Sequence, residues 1–353
     1  MREDYGEIGN KLCYRLAEAI QMLPSSSPLL HTLHLNLEIP LNNVGDCPWS
    51  GHHDLIADIN QIHLPALVTL DLSVNLDSTD EEFVDPNFPT TTNFFPFLNS
   101  HPHLLHLTLD VPGTKLENDL TFLPCLRSFT GSFKDAAIIC DHPRQLDELV
   151  LKLVQRHTYD FPEFRTLPLR THLSLTKLHV QALDADGKVV KMTNELSPTS
   201  LAQLVSSFPN LTHLDICIHG RIPQYRESLI LLTKLQSLRI QLYKINQEDP
   251  YDSYMWDDLD NIPDPNAPVH KIFPPSDYIR QFDDVVPSLP QLAHIEIFLL
   301  ADNVELYDDD CEMLFEPPQM RGTYYFCVRG GKVVLERATS TRKRRKTVGV
   351  VRR

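Results

Sequence analysis

The segment HPHLLHLTLDV, residues 101–111, sets His101, His103 and His106 close together, beside Asp110. Imidazoles and carboxylates are the groups that hold transition metals or pass protons to a reacting centre. A metal needs imidazoles that converge, usually with a carboxylate or thiolate completing the shell. His106 with Asp110, and His213 with Asp215, are spaced as a base and its orienter would be. No nucleophile motif accompanies them, since G-x-S-x-G, the P-loop, G-x-G-x-x-G and H-E-x-x-H are all absent from the sequence. The chain has 12 glycines, few for phosphate-cradling loops. The acidic stretches LDSTDEEFVD and YDDDCE lack the turn glycine of a calcium loop and predict solvated charge. No catalysis, cofactor or metal is therefore expected.

The elements that carry these residues repeat. Pro102 to Val111 reads P-x-L-x-x-L-x-L-x-V. The pattern recurs as PLLHTLHLNL from Pro28, PALVTLDLSV from Pro65, PCLRSFTGSF from Pro124, PNLTHLDICI from Pro209 and PQLAHIEIFL from Pro290. QLDELVLKL from Gln145, SLTKLHVQA from Ser174 and TKLQSLRIQL from Thr233 drop or shift the proline, which makes nine copies. Alternating aliphatics lie on one face of a short strand. Leu107, Leu109 and Val111 are predicted to point inward, and His106, Thr108 and Asp110 outward. Proline before the first leucine separates an incoming helix from the strand.

The three histidines are then expected to be polar turn and surface residues. His213 and His294 fall at the repeat position of His106, so they form a surface row and not a cluster. The outward rows begin Thr32-His34-Asn36, Thr69-Asp71-Ser73, His106-Thr108-Asp110 and Ser128-Thr130-Ser132. They continue Glu148-Val150-Lys152, Lys177-His179-Gln181, His213-Asp215-Cys217, Ser237-Arg239-Gln241 and His294-Glu296-Phe298. From these rows the candidate partner-binding face takes His106, Thr108, Asp110, Lys177, His179, Gln181, His213, Asp215, Arg239, His294, Glu296 and Phe298.

The L-x-x-L-x-L core from about Leu30 to Leu300 resembles the leucine-rich repeat family. The family's asparagine after the strand is matched only at Asn75, so irregular turns are expected. The resemblance implies an α/β, irregular leucine-rich repeat solenoid, with parallel strands on a concave face and helices and loops on a convex one. It implies a protein partner on the concave face. Each strand–helix unit leaves apolar surface that only its neighbours cover, so the units must stack.

The copies lie 37, 37, 22, 20, 29, 36, 24 and 57 residues apart, and the long gaps carry insertions. Helices are predicted over 11–23, from Asp54, from Ser197-Pro-Thr-Ser200, over 225–232 and over 276–286. The largest insertion, about 244–271, holds seven acidic residues, four prolines and a candidate docking motif, Tyr251, Tyr254 and Trp256. A hairpin turning at Gly330-Gly331 is predicted to cap the array at about 323–337. The array, with its helical N-cap, thus spans 1–337. Residues 338–353 are expected to be a disordered basic tail, where Arg342, Lys343, Arg344, Arg345 and Lys346 suit an import receptor.

Composition narrows the classes further. The 353 residues are 42% hydrophobic and carry a net charge of -15, which opposes general nucleic-acid binding. Seven widely spaced cysteines without C-x-x-C argue against a disulfide framework and fit a reducing compartment, cytoplasmic or nuclear. No apolar run is long enough to span a membrane.

The proline-led irregular copies, acidic insertion and closing hairpin are also similar to the repeat region of fungal F-box proteins, substrate receptors of SCF-type ubiquitin ligases. The segment MREDYGEIGNKLCYRLAEAIQML before Leu30 is too short for the F-box that binds a Skp1-type adaptor. The expected function is non-catalytic protein recognition, as such a receptor or as a scaffold or nuclear adaptor outside any ligase. A hydrolase built on the His–Asp pairs is a distant third.

Overall fold

The computed structural model describes residues 18–40, 58–77, 94–110, 116, 123–141, 145–154, 173–183, 197–219, 222–243, 275–301 and 320–342. The architecture is α/β, with open, mostly parallel sheets. The chain divides into two compact units. One comprises Met1–Val154 with Leu167–Leu175, the other Gln155–Thr166 with Thr176–Arg353. The repeat pattern alone treats 1–337 as one array.

Among the described residues the first unit contains β1 (Thr32–Pro40), β2 (Thr69–Asp77), β3 (His106–Asp110), β4 (Ser128–Ser132) and β5 (Glu148–Val154). They pair in parallel in chain order, with Thr32, Thr69, His106, Ser128 and Glu148 abreast. The second contains β6 (Lys177–Leu183), β7 (His213–His219), β8 (Ser237–Tyr243) and β9 (His294–Ala301), also parallel, with Lys177, His213, Ser237 and His294 abreast. The antiparallel hairpin β10 (Met320–Arg329) and β11 (Lys332–Arg342) follows on β9. Its turn needs left-handed backbone at Gly330 and Gly331, with φ of 58° and 74°. β11 runs to Arg342, five residues into the stretch expected to be a disordered tail. Backbone pairing with β10 carries Ala338 to Arg342 despite their lack of apolar pattern.

Six of the parallel strands, β2, β3, β4, β7, β8 and β9, are entered the same way. The amide three residues on returns to the carbonyl of the residue before the turn, as in Leu67 to Leu64, Leu104 to His101, Leu126 to Leu123, Leu211 to Phe208, Leu235 to Leu232 and Leu292 to Leu289. One carbonyl of each rung then takes two amides of the next. The His31 carbonyl accepts from Val68 and Thr69, and the Thr176 carbonyl from Thr212 and His213.

Alternation puts the aliphatics on one face. Leu70, Leu107, Phe129 and Leu149 line it in the first unit, and Leu178, Leu214, Leu238 and Ile295 in the second, all buried. Each such burial contributes about 1.5–3 kcal/mol before entropy is counted. Helices complete each core. Pro198–Ser206 starts at Ser197, whose Oγ accepts from the Ser200 amide at 3.0 Å, and buries Leu201, Leu204 and Val205. Pro275–Phe282 buries Tyr278 and Phe282. The helices Phe95–Asn99 and Phe133–Cys140 have no counterpart in the sequence prediction.

The fourth copy departs from the aliphatic pattern. Gly131 stands where a core aliphatic belongs, and a Cβ there would lie 2.6 Å from the Phe129 ring. One oversized and one absent side chain fill the rung together.

Candidate functional site

The surface left by this packing is the outward strand face of each unit. In the first unit it mixes hydroxyls with scattered charged pairs, among them His34 Nδ1 and Asp71 Oδ2 at 3.3 Å. Ser73 Oγ donates to Asn36 Oδ1 at 2.9 Å, and Ser128 Oγ to Glu148 Oε2 at 3.3 Å. His106 is exposed, while Thr108 and Asp110 are half-buried. Lys152 Nζ reaches Asp110 Oδ2 at 2.7 Å. Ser132, which precedes the helix Phe133–Cys140, does not compete for them. Its Oγ accepts from the Asp135 amide and donates to Asp135 Oδ2 at 2.6 Å.

In the second unit the middle row is a ladder of alternating charge. His179, Asp215, Arg239 and Glu296 stand abreast on β6 to β9. His179 Nδ1 and an Arg239 guanidinium nitrogen each lie 3.5 Å from Asp215 Oδ2, and Gln241 Nε2 donates to Asp215 Oδ1 at 3.4 Å. Arg239 Nε lies 3.7 Å from Glu296 Oε2. The next residue abreast, Tyr325 on β10, sits under the Arg337 guanidinium, 4.0 Å from its ring centre. Asp215 keeps only 5% side-chain exposure, because a short carboxylate sits between longer neighbours. It is therefore screened from direct contact with a partner, whereas Lys177, His213, Arg239 and His294 are exposed and Glu296 and Phe298 half-buried.

The His–Asp spacings do not become base and orienter. Asp110 pairs with Lys152, Asp215 pairs with His179, and His213 Nδ1 shares a hydrogen bond with Thr212 Oγ1 at 2.8 Å. Burial, then the charges of Lys177 and His179, lowers the His213 pKa. Among the described residues no group of three His, Cys, Asp or Glu side chains could hold a metal ion. None of the described helices is long and apolar enough to cross a membrane. Gln181 lies on β6 with its side chain outside the described residues, as is that of Arg342. Tyr251, Tyr254, Trp256 and Lys343 to Lys346 lie outside them altogether.

His101 requires a correction. It is not a surface residue like His103 and His106, but is 3% exposed. Its Nε2 accepts from the Leu64 amide at 2.9 Å, so its Nδ1 carries the proton and donates to the Phe97 carbonyl. Accepting from Leu64 requires the neutral ring, and burial lowers its pKa despite the bond to the Phe97 carbonyl, which favours the proton. The signal was in the repeat. The residue before the proline is Leu64, Leu123, Phe208 and Leu289 in other copies, and all are buried. Asp135 was missed as well. It is buried in the helix Phe133–Cys140 with Oδ1 unpaired, and burial raises its pKa to about 6.

Comparison of the chain with family models, with curated proteins and with solved structures gives no match.

Proposed function

We propose that the chain is an irregular leucine-rich repeat solenoid that recognises a protein partner without catalysis, using its outward strand residues. The observation that carries this is the shared register. In each unit, outward residues separated by 20 or more positions in sequence stand abreast on parallel strands, with the aliphatic core on the other side. Backbone hydrogen bonding holds such rows at about 4.8 Å intervals, a rigid and polar platform suited to a macromolecule. The charge networks on it are ion pairs and hydroxyl contacts. They position side chains without aligning a nucleophile, base and oxyanion donors.

The test is affinity purification of the full chain beside Thr108→Arg and Arg239→Glu, each of which changes one outward face and leaves the core alone. Loss of specific partners in either variant supports the proposal. An unchanged partner set in both, with the variants folded, overturns it. Recovery of a Skp1-type adaptor in the same experiment assigns the chain to ubiquitin-ligase substrate reception. Its absence, with other partners recovered, assigns it to a scaffold or nuclear adaptor.

A further inference from the structure

We propose that the row Lys177, His213, Ser237 and His294 on β6 to β9 receives an acidic, extended segment of the partner protein; this deepens the proposed recognition function and rests on it. The four residues begin their strands and stand abreast. Lys177, His213 and His294 are exposed. None of the four is a carboxylate, and the two carboxylates of the row behind among the described residues are engaged. Asp215 is buried between His179 and Arg239, and Glu296 faces Arg239. Three cation-forming side chains thus flank one hydroxyl with no anion among the four, in a chain of net charge -15.

Size and charge decide the kind of ligand. Three strand intervals of about 4.8 Å span about 14 Å, the length of about four extended residues. A segment that short places carboxylates on the row without carrying further anions across the acidic surface. A nucleic acid or an anionic membrane brings many more phosphates and meets the net repulsion of the chain. Ser237 supplies a donor at the centre, between the two imidazoles.

The pH dependence follows from linkage. Lys177 and His179 face His213 from β6, Asp215 shares its strand, and Arg239, Glu296 and His294 face it from β8 and β9. Partial burial, and then the charges of Lys177 and His179, disfavour a proton on His213 in the free protein. A bound carboxylate favours that proton, so binding takes up protons and tightens as pH falls through the imidazole range.

The experiment is fluorescence anisotropy of a labelled hexapeptide of alternating aspartate and glutamate against the full chain, with the asparagine–glutamine analogue as control. We expect the acidic peptide alone to bind, with affinity rising several-fold between about pH 7.5 and about pH 6. The triple variant K177Q/H213Q/H294Q should weaken it about tenfold, since exposed charge pairs are individually weak and only together large enough to read. Ser237→Glu, a single change at a half-buried outward position, should do the same by repulsion while leaving the fold intact, as read by circular dichroism. Equal binding of the neutral analogue, or of the acidic peptide to both variants, overturns the assignment, and so does preference for a single-stranded DNA oligonucleotide. Partner capture that is lost in Thr108→Arg but intact in the triple variant overturns it too, while leaving outward-face recognition standing.

Discussion

In the first unit the residues that open the strands are Thr32, Thr69, His106, Ser128 and Glu148; in the second they are Lys177, His213, Ser237 and His294. The next outward residues behind them differ in the same sense. The first unit has one His–Asp pair there, with His34 Nδ1 3.3 Å from Asp71 Oδ2, and then the uncharged Thr108, Thr130 and Val150, where the second has the unbroken ladder His179, Asp215, Arg239 and Glu296. The inward rows are alike, leucines and other aliphatics in both, apart from Phe129 and Gly131 in the fourth copy. One backbone register therefore supports two surface chemistries. The difference teaches that the inward positions answer to packing and the outward ones to whatever the face meets.

The comparison breaks first if the cores are unequal. Leu107→Ala and Leu238→Ala should each cost about 2–5 kcal/mol, by lost transfer energy and the cavity left behind, read from urea unfolding. A loss confined to one unit means that the inward rows are not equivalent.

Asp135 sharpens the contrast, since no buried unpaired carboxylate occurs among the described residues of the second unit. Its folded pKa of about 6 is above the unfolded value, so the folded state holds the proton more tightly. Stability from this group is full at low pH and is lost as pH rises through about 6. Asp135→Asn should raise stability at neutral pH by about 1–3 kcal/mol, and the gain should vanish near pH 4, in denaturation curves across that range.

His101 acts with the opposite sign. Its folded pKa is below the unfolded one, so its contribution is present above the unfolded value and is lost as pH falls below about 6.5. His101→Leu should flatten that acid loss. At neutral pH it should cost about 1–2 kcal/mol, because the Leu64 amide loses its buried acceptor.

The smallest effect compares the two outward carboxylates. Asp215→Ala should cost about 1 kcal/mol, since Asp215 is nearly enclosed by its partners. Asp110→Ala should cost a few tenths of a kcal/mol, because that pair is less enclosed than Asp215 and is partly screened by solvent. Equal losses in thermal melting would remove the distinction between a ladder and a scattered set of surface pairs.

Much of the strand framework was legible in advance, and residue by residue. Leu-x-Leu alternation identified which neighbours of His106, His213 and His294 face inward, and the aligned copies placed those three at equivalent positions. Ser197 followed by Pro198 marked a helix start. His101 was misjudged because a polar side chain beside a proline suggests a turn at the surface. Its acceptor contact is to the Leu64 amide, 37 residues back, although the repeat marks the position as an inward one. The helix Phe133–Cys140 went unseen because FKDAAIIC follows directly on a strand, with only Ser132 between as cap.

The sequence by itself determined the period of the chain, the identity of the inward row and the residues available outward, because alternation and proline geometry act over a few neighbours. Only the tertiary structure decided that Asp215 pairs with His179 and Arg239 rather than with His213, and that Asp135 and His101 lose their water. Those outcomes depend on which rungs become adjacent and on how large the flanking side chains are. Burial and pairing are properties of neighbours in space, often 20 or more residues away along the chain, and no local spacing encodes them.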